Sequence, residues 1–318
     1  MKIVIPGGSG QIGSILARHF TEEGHEVIVL SRSSQSTSWK TVKWDGETLG
    51  AWVSELEGAD VLINLAGRIV NCRYNFKNRC EIWSSRTRSV RILGKAFEQL
   101  VSPPAAWLQA GTATTYADRY DAPNDEYTGI IGGTEKSSPD KWRFSIDVAR
   151  AWEGEFALVE VPKTRKVILR SAMTMSHDRD GIFDYLLWLT RVGLGGKAAS
   201  GKQYISWIHY IDYINAIKFL IENTEISGVV NIASPNPIPN QQFMAQLRKS
   251  WGTRLGLPIY EWMLEIGAVF LQTESELVLK SRRVIPGRLS DAGFKFKYGD
   301  WQSASIDLVS RWRKERNQ

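Results

Sequence analysis

The sequence predicts an α/β fold: a doubly wound parallel sheet with a smaller C-terminal lobe. Three observations carry this. Lys2–Gly13 reads KIVIPGGSGQIG, an apolar run at Lys2–Ile5 that enters an amphipathic helix through Gly7, Gly8, Gly10 and Gly13. Apolar strand-like runs then alternate with helical patterns, which implies a parallel sheet covered on both faces. Pro235, Pro237 and Pro239 mark a boundary, giving a domain over 1–235 and a small C-terminal domain over 236–318.

The glycine turn is the organising element. Ile12, Ile15, Leu16 and Phe20 share one helical face, so the chain passes from strand to helix within a few residues. Glycine permits the tight turn and lets backbone approach a ligand, while the first helical turn offers free N–H groups and the positive end of the dipole. Gly7, Ser9, Gly10, Gln11, Ile12 and Gly13 are therefore expected to cradle the diphosphate of a dinucleotide.

The second strand, Glu26–Leu30, ends in Ser31-Arg32. A carboxylate at this place would hold ribose hydroxyls. A hydroxyl and a guanidinium instead suit a 2′-phosphate, so NADP is the expected cofactor. Thr41–Trp44 reads as a short strand with Asp45 facing the adenine, and 47–57 as a helix. Asp60–Leu65 is a strand opening into the small-residue turn Leu65, Ala66, Gly67, where backbone can approach the middle of the cofactor. Residues 78–100 read as a long helix. Ala105–Gln109 is a strand running into Thr112–Asp118, and the loop that follows, to about Asp140, has the length of a lid or substrate loop.

Further on, the pattern gives a helix at Trp142–Leu158, a strand at Lys166–Leu169 leading to Arg170, and a helix at Ile182–Val192. A glycine-rich turn then precedes Tyr204–Ile208 and a helix to about Asn223. Val229–Ala233 is a strand. Beyond the prolines lie helices near 240–251 and 259–271, the second read as core at Tyr260–Leu271, and a last helix from about 301.

Composition narrows the function classes. Of 318 residues, 43 % are hydrophobic and 23 % charged, as in ordinary globular proteins. Cys72 and Cys80 make no disulfide framework, which suits a reducing, cytoplasmic setting, and the four histidines are scattered, so no metal is expected. No leader or membrane-length apolar run is read. The net charge of +6 is dispersed, and its densest cluster, Arg311 to Arg316, sits where a helix C-terminus favours cations. No nucleic-acid or membrane partner is expected, and the partner is a small molecule. The thirteen tryptophans lack stacking periodicity and read as packing.

These motifs resemble the extended short-chain dehydrogenase/reductase superfamily. The resemblance rests on the glycine loop, the Asn64–Gly67 turn, the stretch TATTYAD at 112–118, Arg170 and Ile208–Asp212. A closer likeness, to the epimerase family proteins with their own small C-terminal domain, rests on a collinear set. Its members are Trp44-Asp45, Ser85-Arg86, Trp152-Glu153, GLGG at 193–196, SGKQ at 200–203, SWIH at 206–209, RVIPGRL at 283–289 and AGFKF at 292–296. The resemblance implies a Rossmann-type sheet and an epimerase-like or oxidoreductase activity. It adds Ser31, Arg32, Leu65, Ala66, Glu81, Arg86 and Thr174 as candidate cofactor contacts; read alone, Glu81 and Arg86 are surface charges.

One departure matters. In that superfamily a tyrosine and a lysine four residues later share a helix face and move the proton that accompanies hydride transfer. No Tyr-x-x-x-Lys occurs here. The corresponding helix carries Phe144 and Val148, or, one residue along, Ser145 and Ala149. Thr112 and Tyr116 become the candidate catalytic residues, His209 reads as a satisfied histidine beside Asp212, and a non-catalytic NADP-binding sensor or partner-binding protein stands as the alternative.

Overall fold

A computed structural model describes residues 1–33, 37–135, 140–263, 274 and 276–316. Seven strands form one parallel sheet: β1 (Lys2–Pro6), β2 (Glu26–Ser31), β3 (Lys40–Lys43), β4 (Val61–Asn64), β5 (Ala106–Thr112), β6 (Arg165–Ser171) and β10 (Gly228–Ile232). Their order is β10-β6-β5-β4-β1-β2-β3. The chain starts at β1 and winds outward both ways, so the strand order reverses between β1 and β4. Ile3, Val4 and Ile5 are fully buried, as a strand covered on both faces requires.

Helices α1 (Gln11–Glu22) and α5 (Tyr210–Glu222) pack on one face of the sheet through Ile15, Leu16, Phe20, Ile214 and Ile217. Helices α2 (Phe76–Phe97) and α3 (Asp140–Ala157) cover the other through Val90, Leu93, Phe97, Trp152 and Phe156, around the fully buried Trp107. Asn75 caps α2, its side chain accepting from the Asn78 N–H at 2.9 Å.

A third core forms beyond the sheet. Helices α4 (Ile182–Arg191) and α6 (Asn240–Trp251) and the last helix (Trp301–Arg316) close around Trp207, Phe243, Trp301 and Leu308. Phe243 and Trp301 stack with ring centroids 3.9 Å apart. Two small pairings flank this lobe: β7 (Met173–Met175) runs parallel to β9 (Trp207–His209), and β8 (Tyr204–Ile205) antiparallel to β11 (Ile238–Pro239). The lobe thus takes α4 from the first 235 residues.

Several sequence expectations are corrected. The helix at 47–57 is only a 3-10 turn, Ala51–Glu55. The Asp45 carboxylate accepts the Glu47 and Thr48 N–H groups at 2.8 and 2.9 Å and closes the turn before it. The loop after Asp118 is anchored rather than lid-like, since buried Asn124 exchanges backbone hydrogen bonds with Arg283 and Ile285 at 2.7 and 3.0 Å. Tyr260 and Trp262 are exposed, not core, and 264–271 lies outside the described residues. Trp83 and Trp188 are likewise exposed. The Arg311–Arg316 cluster does more than meet a helix end: Arg311 and Arg316 pair with Asp307 and Asp184.

Candidate functional site

The site forms at the carboxyl ends of β1, β4 and β5, where a doubly wound sheet binds ligands. Gly7 has φ +74°, and a Cβ there would stand 2.6 Å from the Ala66 backbone. A Cβ on Gly13 would stand 2.4 Å from the Gly8 Cα. The two glycines let the β1 turn lie against the β4 turn and let α1 descend onto the loop. Gly10 is extended and precedes α1 without a side-chain cap, and the Ser14 N–H is the first to reach back, to the Gly10 carbonyl at 2.8 Å. The amides of Gln11, Ile12 and Gly13 therefore precede the first intrahelical bond. Gln11 Nε2 is buried without a hydrogen-bond partner, against Gly181.

At the next strand end, the buried Ser31 hydroxyl donates to Ser9 Oγ at 3.0 Å. Arg32 follows and is exposed. At the end of β4, Asn64 is fully buried between two jobs: it donates to Gln109 Oε1 at 2.9 Å and accepts from the Ala66 N–H at 3.1 Å. Leu65 donates its N–H to the Pro6 carbonyl at 2.8 Å. These bonds shape the Leu65–Gly67 turn.

Arg86 stands over that turn, its Cζ 3.3 Å from where a Gly67 Cβ would be. It donates to the Ile82 carbonyl at 2.9 Å and stacks over the Trp152 ring at 5.1 Å. Among the described residues no carboxylate pairs with it, and burial pushes its guanidinium down to about 10. A half-buried cation with neutral partners suits an anionic ligand. Glu81, by contrast, is paired with Arg68. Thr174 lies in β7, its hydroxyl buried without a partner.

The candidate catalytic pair separates. Thr112 ends β5 half-buried, with its hydroxyl accepting the Thr114 N–H at 3.2 Å. Tyr116 is only 2 % exposed; its hydroxyl donates to Asn231 Oδ1 at 3.0 Å beneath the Arg170 guanidinium. Arg170 is held by Glu153 through two bonds of 2.8 and 2.7 Å. Tyr116 is thus packed under an ion pair with its hydroxyl engaged, which speaks against its candidacy as a catalytic residue. His209 is fully buried and caps α5, accepting the Ile211 N–H at 3.1 Å, with Asp307 rather than Asp212 on its Nε2 at 3.1 Å.

Spacing did not disclose a second cluster beside this site. Glu274 and Glu276–Arg282 lie across the mouth formed by the β4–α2 loop, α3 and the end of β5. Glu274 accepts the Tyr74 N–H at 2.7 Å, and Glu276 Oε2 accepts from Ser145 Oγ at 2.6 Å. Lys280 Nζ donates to the Thr114 carbonyl at 2.8 Å, and Arg282 Nε to Thr114 Oγ1 at 3.2 Å. Burial pushes the Lys280 ammonium down to about 8, with Arg282 adding to the shift, and pushes the Glu276 carboxyl up against the pull of Arg282. The signal present in the sequence was a set of charges, Glu276, Lys280 and Arg282, around the apolar Leu277–Leu279.

The comparisons agree with this geometry. A model of the NAD dependent epimerase/dehydratase family matches residues 3–135, and a model of a domain of unknown function, DUF1731, matches 261–308. The epimerase family protein YfhF of Bacillus subtilis is 29 % identical over 98 % of both chains. The match to the epimerase/dehydratase model covers the amino-terminal part of the sheet and the glycine turn. The chain is also similar to human epimerase family protein SDR39U1, 28 % identical over 98 % of this chain and all of that one. The human protein's crystal structure, obtained with NADPH, superposes with a TM-score of 0.84 at 26 % identity, covering 98 % of this chain and 99 % of that one. Glu274 and Glu276–Arg282 lie within the region matched by the DUF1731 model. No helix among the described residues is long and apolar enough to cross a membrane.

Proposed function

We propose that this chain binds NADP and passes hydride between the cofactor's nicotinamide and a carbonyl or alcohol carbon of a small substrate, as a reductase or an epimerase. The observation that carries the cofactor is the turn at Gly7–Gly13, packed so closely that a Cβ at Gly7 would meet the Ala66 backbone and one at Gly13 the Gly8 backbone. Those amides and the start of α1 would hold the diphosphate. Ser31 and Arg32 would take the 2′-phosphate, Leu65–Gly67 and Arg86 the middle of the molecule, and the partnerless Thr174 hydroxyl a further polar group. The NADPH found with human SDR39U1 supports the same choice. When bound, the cofactor supplies the hydride chemistry; the chain's residues orient it and handle the proton. Thr112 would hydrogen-bond the substrate oxygen, while Tyr116, its hydroxyl engaged by Asn231, has no part. A reducing, cytoplasmic setting suits the free thiols of Cys72 and Cys80.

One observation favours a second reading, a non-catalytic NADP-binding sensor: α3 presents Phe144 and Val148 where the superfamily's Tyr–Lys pair stands. The two readings separate on NADPH-loaded protein offered a panel of aldehydes, ketones and keto acids. Loss of nicotinamide absorbance with at least one substrate, abolished in Thr112→Ala, supports the enzyme. Tight NADPH binding without turnover across the panel supports the sensor.

A further inference from the structure

We propose that His177, Asp178 and Glu315 bind a divalent transition-metal ion, with zinc the first to test. The site stands apart from the glycine turn, and the proposal does not depend on the hydride-transfer reading above.

Three observations carry it. First, the right donors converge. One ring nitrogen of His177 and one carboxylate oxygen each of Asp178 and Glu315 lie within 4.8 Å of one another. His177 and Asp178 sit in the loop between β7 and α4, and Glu315 in the last turn of the helix Trp301–Arg316. The histidines are scattered along the sequence, and it is this final helix that brings a carboxylate back to one of them. Imidazole together with carboxylates is a donor set that zinc accepts.

Second, the His177 ring is engaged at one nitrogen only. The residue is 9 % exposed; Nε2 stands 3.0 Å from Glu315 Oε1, while Nδ1 is buried without a hydrogen-bond partner. A buried polar atom ordinarily has a partner. With the proton on Nε2, the Nδ1 lone pair is bare. With the proton on Nδ1, the Nε2 lone pair faces a carboxylate. A metal ion resolves either case. On Nδ1 it fills the idle lone pair while Glu315 holds the ring by its Nε2–H. On Nε2 it takes the place of the shared proton, and Glu315 becomes a ligand.

Third, there is room beside the cluster. His177 and Asp178 line a cavity of about 410 Å³ between α1 and α5, together with Arg18, His19, Tyr210 and Asn215. Water or a small ligand entering there would complete the coordination.

The cluster must rearrange a little to close on an ion. Neighbouring ligand atoms around a tetrahedral zinc stand about 3.4 Å apart, close to the present His177–Glu315 spacing. Asp178 accepts from Ser176 and, at 3.2 Å, from Arg18. The Arg18 side chain is 47 % exposed, and so open an ion pair is weakly held, so the guanidinium can withdraw into water. Glu315 is partly exposed and free to swing. Once bound, the ion would join the last helix to the loop that runs into Gly181, which packs on the Gln11 side chain at the start of α1.

The test uses the full-length chain stripped of metal by a chelator. Competition with a chromophoric chelator should show one zinc ion per chain. Glu315→Gln and His177→Ala should each weaken binding by roughly 10- to 100-fold or more, since the loss of even an outer partner of a metal ligand costs that much. Zinc should raise the melting temperature of the wild type and leave that of both variants unchanged. Cobalt(II) in the same place should show tetrahedral d–d absorption without a thiolate charge-transfer band. Such a band would move the metal to Cys72 or Cys80 and overturn the proposal. Zinc kept in full by both variants, or lost in His25→Ala, marks an adventitious ion elsewhere and also overturns it; His19 and His25 stand 3.2 and 3.9 Å from Glu23. So does a chain that takes up no zinc at micromolar concentration. Glu315 lies partly exposed near the end of its helix, so Glu315→Gln keeps the test decisive if His177→Ala fails to fold by circular dichroism.

Discussion

The Ser31 hydroxyl donates to Ser9 Oγ across 3.0 Å, tying the end of β2 to the glycine turn. This bond sets the spacing between the anion cradle at the start of α1 and the exposed Arg32 beyond β2. In the proposed reading, a diphosphate at the start of α1 would place the adenosine ribose within reach of Ser31 and Arg32, and the 2′-phosphate is the group that a guanidinium recognises best.

Replacing Arg32 by Ala should therefore weaken NADPH far more than NADH. A charge-assisted hydrogen bond contributes about 1.5–3 kcal/mol, so the expected loss for NADPH is roughly 10- to 100-fold, with NADH nearly unchanged. Calorimetric titration with both cofactors reads this directly, and equal weakening of the two would place the 2′-phosphate elsewhere.

Gly13 and Gly24 make a matched pair of substitutions. A Cβ on Gly13 meets the Gly8 backbone at 2.4 Å, so Gly13→Ala must push α1 off the loop. Overpacking of this kind costs about 1–3 kcal/mol, and here it also displaces the amides of the cradle. Gly24 has φ +81° and open space around it, so Gly24→Ala meets only left-handed strain of about 1–2 kcal/mol. Both variants should melt earlier than wild type, but only Gly13→Ala should lose NADPH binding.

Stability should fall on acidification through one local network. Burial lowers the pKa of His209, against the pull of Asp307. Burial alone would raise the Asp307 carboxyl, but hydrogen bonds with His209, Arg311 and Tyr298 hold it well below the carboxylate range. Both folded-state values are depressed, so the unfolded chain binds more protons in each window and stability is lost as pH falls. The His209 part is lost from about 6.5 downward and the Asp307 part below about 4. Urea midpoints should drop between pH 7 and 5, and the drop should shrink in His209→Asn, which keeps a capping oxygen for α5. A His209→Asn slope as steep as wild type would refute this origin.

The sheet and the glycine turn were legible because each depends on near neighbours in sequence. Lys2–Ile5 must be buried on both faces, and Gly7 and Gly13 follow it at a spacing that only a turn into a helix explains. Arg86 was harder to place. As a helical residue it reads as a surface charge, and only the tertiary approach of Gly67 and Trp152 makes it a half-buried cation. Tyr116 was misplaced for the converse reason: its partner Asn231 is 115 positions away on the edge strand, and local spacing carries no trace of it. The helix expected at 47–57 failed because Asp45 spends its carboxylate on a turn and Gly50 delays the start. Tyr74 and Ser145 meet Glu274 and Glu276 only through the way the C-terminal segment crosses the sheet.

That crossing has a consequence for biosynthesis. The contacts of Glu274, Glu276, Lys280 and Ser281 with Tyr74, Ser145, Thr114 and Asp118 span 131 to 200 positions, against neighbouring strands and helices for the nucleotide cradle. On a ribosome the amino-terminal sheet can assemble early, yet the mouth of the cleft gains its far wall only after almost the whole chain has emerged. A nascent polypeptide halted near residue 260 would hold a formed sheet with an unwalled cleft, so the glycine turn and the completed cleft would arise at different moments of translation.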